Sequence, residues 1–228
     1  MVLLASGKKE NGIIVIQFKP GMKQLIIIIL FFIAKSTFAQ ITVVKLDSAQ
    51  VPRNAKYAGF LDTAVRYTDK EGVHIVITSE NFDDKVDKDS DEFRSADLYA
   101  YDYLIIGKTA KLEWQMHDFV EPCQEDVEAA FLPRTFAITD MNKNGIAEVW
   151  LMYKTACSGD VSPRTMKIIM HEGAVKYAVR GSNRVRVNAT DYVGGAYKFD
   201  EAFNALPEIF KEHARQLWKK HLLEVWGN

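Results

Sequence analysis

Apolar residues recur at every second position in several segments of this 228-residue chain. Val73, Ile75 and Ile77 share one side of such a segment, and His74 falls on the other. A two-residue period is typical of half-buried β-strands. Further strand-like segments run over residues 98–106, 112–116, 131–139, 146–153, 166–170 and 174–179. Because no long helical pattern separates them, parallel βαβ units are not expected.

The period changes near the C-terminus. Pro207 suits the first turn of a helix, and Gly227 is placed to end it. Between them the apolar residues recur at helical spacing, namely Ile209, Phe210, Ala214, Leu217, Trp218, Leu222, Val225 and Trp226. We therefore expect a mainly β (α+β) fold, an antiparallel sheet or sandwich with a C-terminal amphipathic helix packed on it. A helix that binds a partner or a membrane surface is the alternative.

Residues 22–39 have the organisation of a cleaved secretory signal peptide. Lys23 precedes ten apolar residues from Leu25 to Ala34. Thr37 and Ala39 occupy the minus-three and minus-one positions that a signal peptidase reads. A helix of ten residues spans about 15 Å, against roughly 30 Å of bilayer hydrocarbon, so cleavage is favoured over a membrane anchor.

Cleavage at this point divides the chain into three parts. Residues 1–21 are an upstream extension, residues 22–39 the signal peptide, and residues 40–228 a single mainly β domain in the periplasm or outside the cell. The mature part keeps 24 basic and 29 acidic side chains, a net charge of about −5. Nucleic-acid-binding proteins usually carry a basic excess, so nucleic acid is not an expected partner. No stable membrane span is expected after cleavage.

Both cysteines, Cys123 and Cys157, lie in the mature part. An exported chain reaches an oxidising compartment, in which two thiols tend to pair. We therefore predict a disulfide between them, with two unpaired buried thiols as the alternative.

A short loop repeats oxygen-bearing groups at alternate positions. Asp140, Asn142, Asn144, Ile146 and Glu148 fall at its first, third, fifth, seventh and ninth positions, with a glycine at the sixth. Calcium loops need this spacing, because side-chain oxygens and a backbone carbonyl surround the ion. We predict a Ca²⁺ site with an affinity on the order of 0.1 to 1 mM. An ordinary tight turn explains the same residues, since Asn and Gly adopt positive φ angles.

Three arginines lie close together in the sequence. Arg184 and Arg186 would share one face of a strand, and Arg180 precedes them. Arginine can bind phosphate or carboxylate through two parallel hydrogen bonds, so the three are candidates for an anion or glycan contact. A solvated outer strand face is the alternative. We predict no catalytic residues, because no nucleophile elbow accompanies the five histidines.

The most distinctive run of the sequence is Tyr153 to Pro163, followed by Thr165 to Lys167. Together with Lys176 to Gly181, Leu98 to Tyr103 and the loop Asp140 to Glu148, it resembles a family of small exported bacterial proteins. The members of this family are described as surface polysaccharide (lipopolysaccharide) biosynthesis proteins. The resemblance covers most of residues 70–226.

The resemblance implies a role connected with lipopolysaccharide or another envelope glycan, and it implies no catalytic mechanism. We therefore expect an exported, non-catalytic envelope protein that supports surface polysaccharide or lipopolysaccharide biosynthesis. Its partner would be an envelope glycan or a glycan-assembly protein, and the predicted calcium loop would stabilise the fold. One alternative is a periplasmic enzyme that acts on glycan, with Asp140 and Glu148 as general acid and base. The other is a structural or partner-binding module.

Overall fold

The computed structural model describes residues 6–10, 13–17, 41–86 and 92–224. The chain divides into two compact units, Met1–Ala39 and Gln40–Asn228. In the first unit, β1 (Ser6–Glu10) and β2 (Ile13–Gln17) pair as an antiparallel hairpin. The predicted signal peptide, residues 22–39, lies outside the described residues, and its cleavage stays a prediction.

The second unit begins with a five-stranded antiparallel sheet, called sheet I here. Its strands follow one another in chain order as β3 (Thr42–Leu46), β4 (Phe60–Thr68), β5 (Val73–Val86), β6 (Glu92–Ile106) and β7 (Thr109–Cys123). Gly107 has a φ of 63° in the two-residue turn between β6 and β7. Hairpins with two-residue turns need positive φ angles, and glycine adopts them without strain.

The remaining elements build a second sheet, a small third sheet and two helices. They are β8 (Val127–Phe131), β9 (Ala137–Thr139), β10 (Glu148–Cys157), β11 (Thr165–Glu172), β12 (Val175–Ser182), β13 (Arg184–Arg186), β14 (Tyr192–Gly194), β15 (Tyr197–Phe199), α1 (Glu201–Asn204), α2 (Glu208–Lys220) and β16 (Leu223–Glu224). Sheet II has the order β15-β12-β11-β10-β8, and β9 also pairs with β10. The third sheet has the order β14-β13-β16.

The elements differ from the sequence-based expectation at two places that have a clear physical reason. The strand predicted over residues 131–139 is interrupted between β8 and β9. Pro133 lacks a backbone N–H, and Arg134 has a φ of 62°, so the segment cannot continue the ladder. The C-terminal helix ends at Lys220 rather than near Gly227, because the chain turns there and Leu223–Glu224 pairs with β13. Residues 225–228 lie outside the described residues.

Sheets I and II pack face to face, as expected for an antiparallel sandwich. The residues that meet between them are Val65, Tyr67, Val76, Leu98, Ala100, Trp114 and Met116 from sheet I, and Ala147, Val149, Leu151, Tyr153, Ile169 and Ala178 from the other side. The fold is therefore mainly β, and the predicted class is confirmed.

Each sheet is also covered on its outer face. The two helices pack on sheet II, where Phe203, Phe210, Ala214 and Trp218 contact residues such as Trp150 and Met170. On sheet I, the segment between β3 and β4 packs over Ile75, Ile77, Tyr101 and Tyr103. The predicted packing of the C-terminal helix on the sheet is confirmed. No helix in the described part of the chain is long and apolar enough to cross a membrane.

A disulfide joins Cys123, at the end of β7, to Cys157, at the end of β10. Their Cα atoms lie 5.9 Å apart, within the usual range for a disulfide. The predicted pairing is confirmed, and the bond links sheet I covalently to sheet II. The β4–β5 turn and the start of β10 lie at the opposite end of the sandwich.

Candidate functional site

The turn between β4 and β5 places two acidic side chains at the end of the sandwich. Asp69 is the first residue of the turn, and its Oδ1 atom accepts hydrogen bonds from the backbone N–H groups of Glu71 (2.8 Å) and Gly72 (3.2 Å). Its Oδ2 atom accepts a third bond from the N–H of Ala147 (3.0 Å), just before β10. Asp69 therefore fixes the turn and attaches it to the chain that enters sheet II.

His74 lies on the opposite face of β5 from Ile75, as the alternation predicted, and is buried. Its Nδ1 atom lies 2.9 Å from Oδ2 of Asp102, on the neighbouring strand β6. Its Nε2 atom lies 3.6 Å from Oδ1 of Asp69, and the His74 side chain is only 3% exposed. The ring of Tyr67 stacks on the imidazole at 4.8 Å.

The pKa shifts of His74, Asp102 and Tyr67 have two causes, the burial of these side chains and the carboxylates close to them. Burial alone would lower the pKa of His74, but its hydrogen bond to Asp102 and the charges of Asp102, Asp69 and Glu71 raise it above its usual value. Burial raises the pKa of Asp102, and the contact with His74 offsets this only in part. Burial and the same carboxylates raise the pKa of Tyr67.

Asp69, Glu71 and His74 could hold a metal ion. One ligand atom from each residue lies within 4.8 Å of the other two, and carboxylate and imidazole are common metal ligands. Sequence reasoning placed His74 on its strand face but missed this group. The spacing Asp-x-Glu-x-x-His across a strand-to-strand turn was a usable signal, because such a turn brings both of its ends together.

The predicted calcium loop lies beside this turn. The N–H of Asn144 donates to Oδ1 of Asp140 and to Oδ1 of Asn142, both at 3.0 Å. The N–H of Gly145 donates to Oδ2 of Asp140 (3.1 Å), and the N–H of Ile146 donates to Oδ1 of Asn144 (2.7 Å). The structure thus brings four of the five predicted residues around one tight loop, which its own hydrogen bonds close.

Glu148, the fifth predicted ligand, is fully buried. Its carboxylate accepts hydrogen bonds from the Thr139 hydroxyl (2.6 Å) and the Met141 N–H (2.9 Å). Burial raises its pKa, and these bonds offset the rise only in part. A carboxylate that sequence reasoning did not consider, Glu172, accepts bonds from the side-chain amides of Asn142 (2.7 Å) and Asn144 (2.6 Å).

The three candidate arginines are separated. Arg184 and Arg186 share the exposed face of β13, on either side of buried Val185. Arg180 belongs to β12 of sheet II, and its guanidinium lies 3.5 Å from Asp200. The structure therefore keeps Arg184 and Arg186 together and places Arg180 in a different sheet.

A row of aromatic rings crosses the outer face of sheet I. Tyr103, Tyr101 and Tyr99 stack along β6 with centroids 6.4 and 6.2 Å apart. His117 stacks on Tyr99 at 4.6 Å with an interplanar angle of 4°, and Phe119 follows at 5.3 Å. The segment before β4 covers one end of the row, because the Tyr103 hydroxyl donates to the Lys56 carbonyl and Tyr101 accepts from the Ala58 N–H.

The other end of the row is open to solvent. Phe119 is 48% exposed, and the side chain of His117 is 44% exposed. Asp97 lies directly opposite Phe119, and its carboxylate accepts a hydrogen bond from Nε2 of His117 across 2.7 Å. Asn81 lies opposite Asp97 on β5. We call these five residues, Asn81, Asp97, Tyr99, His117 and Phe119, the ring surface.

The run that carries the family resemblance borders an open cleft of about 630 Å³ beside the disulfide. Residues 155–160 and 162–165 line it, together with Glu125. Asp160 organises this loop by accepting bonds from the Ser158 hydroxyl (2.8 Å) and the Ser162 N–H (2.9 Å). The cleft is thus formed mainly by one nearly continuous stretch of the chain.

No family model matches this chain, and neither a curated protein nor a solved structure matches it.

Proposed function

We propose that this chain is an exported, non-catalytic envelope protein that supports surface polysaccharide or lipopolysaccharide biosynthesis by binding the glycan. The observation that carries the proposal is the ring surface. The resemblance to surface polysaccharide biosynthesis proteins supports the same reading.

The ring surface has the chemistry that a sugar chain requires. Sugar rings present flat C–H faces that pack on aromatic rings, and the nearly parallel rings of Tyr99 and His117 offer such a flat surface. Sugar hydroxyls need hydrogen-bond partners at the rim, and Asp97 and Asn81 supply a carboxylate and an amide there. Exposed aromatic residues beside polar groups are typical of binding surfaces.

The disulfide supports the export part of the proposal. Disulfides persist in secreted and periplasmic proteins and are rare in the reducing cytosol. The Cys123–Cys157 bond joins two sheets of the core. A role in the periplasm or outside the cell agrees with this chemistry.

The burial of Glu148 supports a non-catalytic role. The alternative enzyme would use Asp140 and Glu148 as general acid and base, and both carboxyl groups would then have to reach the glycosidic bond. Glu148 is fully buried, and Thr139 and Met141 occupy its carboxylate.

Replacing Phe119 by alanine is expected to weaken glycan binding about tenfold, which corresponds to ~1.4 kcal/mol. The substitution removes an exposed ring and leaves the core intact. Purified lipopolysaccharide and surface polysaccharide, each titrated into the chain by isothermal calorimetry, provide the measurement. His117→Ala should have a similar effect, because it removes the central ring of the open end.

Phe60→Ala is the matched control for this experiment. Phe60 is 77% exposed and lies in register with Glu80, outside the ring surface. Its replacement should leave glycan binding unchanged. Equal loss in the Phe60 and Phe119 variants, or no binding of either glycan by the wild-type chain, would count against the proposal.

We further propose that Ca²⁺ stabilises the loop formed by Asp140, Asn142, Asn144 and Ile146. The side-chain oxygens of Asp140, Asn142 and Asn144 lie at one tight turn, where they accept backbone N–H bonds, and the neighbouring Glu172 adds negative charge. With an affinity on the order of 0.1 to 1 mM, 10 mM Ca²⁺ should add about 1.4 to 2.7 kcal/mol to the free energy of unfolding.

Urea unfolding with 10 mM Ca²⁺ and with chelator measures this stabilisation. Asp140→Ala should abolish the calcium-dependent part, whatever it does to the stability of the metal-free chain. Asp160→Ala is the matched control, because Asp160 closes a different exposed loop by the same kind of hydrogen bonds. An equal calcium response in both variants would refute the loop as the site.

A further inference from the structure

We propose that Asp69, Glu71 and His74 form a three-ligand site for a divalent transition-metal ion of the zinc type, with Asp102 holding the histidine in place. This site is distinct from the proposed calcium loop and does not depend on the glycan-binding role.

The turn geometry prepares the two carboxylates. The N–H groups of Glu71 and Gly72 fix Asp69, whose side chain is 1% exposed. Glu71 is exposed, so its carboxylate can move toward an ion without disturbing the core. Ligand atoms in a tetrahedral site at 2.0 to 2.2 Å from the ion lie about 3.3 to 3.6 Å apart. His74 Nε2 and Asp69 Oδ1, 3.6 Å apart, already have this spacing, and movement of Glu71 would close the remaining gap within the 4.8 Å that encloses the three ligand atoms.

His74 supplies the independent observation that points to a ligand. Its Nε2 atom is buried, has no hydrogen-bond partner, and faces the Asp69 carboxylate at 3.6 Å. The carboxylates of Asp69, Glu71 and Asp102 surround this ring and concentrate negative charge in a largely buried place. A divalent cation bound to Nε2 would balance that charge and give the buried nitrogen a partner.

Asp102 is placed as expected for a residue that hydrogen-bonds to a metal-binding histidine. A metal-bound histidine usually donates its other ring N–H to a carboxylate, which fixes the tautomer and the ring orientation. Asp102 is 1% exposed and makes this contact at 2.9 Å. Tyr67 stacks on the ring and restricts its rotation. Asp102 is therefore a positioning residue.

The donor set selects the class of ion. Calcium prefers six to eight oxygen ligands, whereas an imidazole nitrogen with two carboxylates suits Zn²⁺ and similar ions. Three protein ligands also leave a coordination position for water. We therefore expect Zn²⁺ to bind here more tightly than Ca²⁺.

Calorimetric titration of the chelator-treated chain with ZnCl₂ tests the site. We expect one equivalent of Zn²⁺ to bind in the wild-type chain, and 1 mM Ca²⁺ not to displace it. Glu71→Gln should lower the zinc affinity at least tenfold while the unfolding temperature of the metal-free chain stays unchanged. Glu121→Gln changes an exposed acid on β7, away from the turn that carries Glu71, and this matched control should bind zinc as the wild type does.

Asp102→Asn tests the positioning role, with Co²⁺ as a spectroscopic probe. We expect a loss of 10- to 100-fold in zinc affinity and a changed visible spectrum of the Co²⁺-loaded chain. An unchanged spectrum with unchanged affinity would refute the role of Asp102. Absence of zinc binding in the wild type, or zinc binding that Glu71→Gln leaves intact, would overturn the site itself.

Discussion

Replacing Cys123 and Cys157 together by alanine is expected to lower the free energy of unfolding by about 3 to 4 kcal/mol. The two residues are 34 positions apart, and a cross-link over that distance removes a corresponding amount of chain entropy from the unfolded state. The loss is a large part of the stability of an ordinary domain. Urea unfolding of the wild-type and double-variant chains under oxidising conditions measures it.

Reductant provides the control for this prediction. Adding it should bring the wild-type chain down to the stability of the double variant and leave the variant itself unchanged. A difference below 1 kcal/mol between the oxidised wild type and the variant would show that the bond adds little. The disulfide would then not be a main source of the stability of this fold.

Acidification from pH 7 to pH 4 is expected to lower the free energy of unfolding by about 3 kcal/mol through the protonation of His171 alone. Burial, helped by the nearby charge of Lys176, lowers the pKa of His171 to about 4 from its ordinary value of 6.5. The unfolded chain therefore binds a proton more readily between these two values. The contribution of His171 to the free energy of unfolding is fully present above pH 6.5 and is lost as the pH falls toward 4.

His171→Phe should remove this pH dependence. Phenylalanine keeps the stacking on Trp114, whose ring lies 3.9 Å away, and it eliminates two buried ring nitrogens that lack hydrogen-bond partners. The measurement is the difference in unfolding free energy between wild type and variant at pH 7, 5.5 and 4. Parallel profiles for the wild type and His171→Phe would contradict the assignment.

Much of the fold follows from local pattern in the sequence. The alternation at Val73, Ile75 and Ile77 predicts both the strand and the side on which His74 lies, because the period of a strand is fixed at two. The helical stripe through Phe210 and Trp218 predicts a helix and the face that packs on the sheet. These features depend on neighbours within one element.

The pairing of strands depends on residues that are far apart in the sequence, so it was harder to predict from local patterns. Strand β4, Phe60–Thr68, was missed because polar and charged residues interrupt its alternation, and the cross-strand contacts to β5 stabilise it. Pro133 was a visible signal against a continuous strand through residues 131–139. Which sheet faces which is set by the whole core and is not encoded in any one segment.

The candidate site shows the same difference between local features, which the sequence predicts, and long-range features, which it does not. The spacing from Asp140 to Ile146 predicts either a Ca²⁺ site or an ordinary tight turn, and the structure shows a tight turn closed by its own hydrogen bonds. The contact between His74 and Asp102 joins residues 28 positions apart in the sequence. The pairing of β5 with β6 brings them together, and no local pattern predicts it. The burial of Glu148 likewise depends on Thr139 and Met141 folding back over it.

The two ends of the sandwich are closed by different kinds of bond. One end has the covalent link from β7 to β10. At the other, Asp69 holds the Ala147 N–H, and the Lys70 N–H donates to the Gly145 carbonyl at 2.9 Å. Separation of the two sheets is therefore expected to begin at the reversible end, because the disulfide holds the other end together. An ion that binds at the end closed by hydrogen bonds would lower the frequency with which the two sheets separate there.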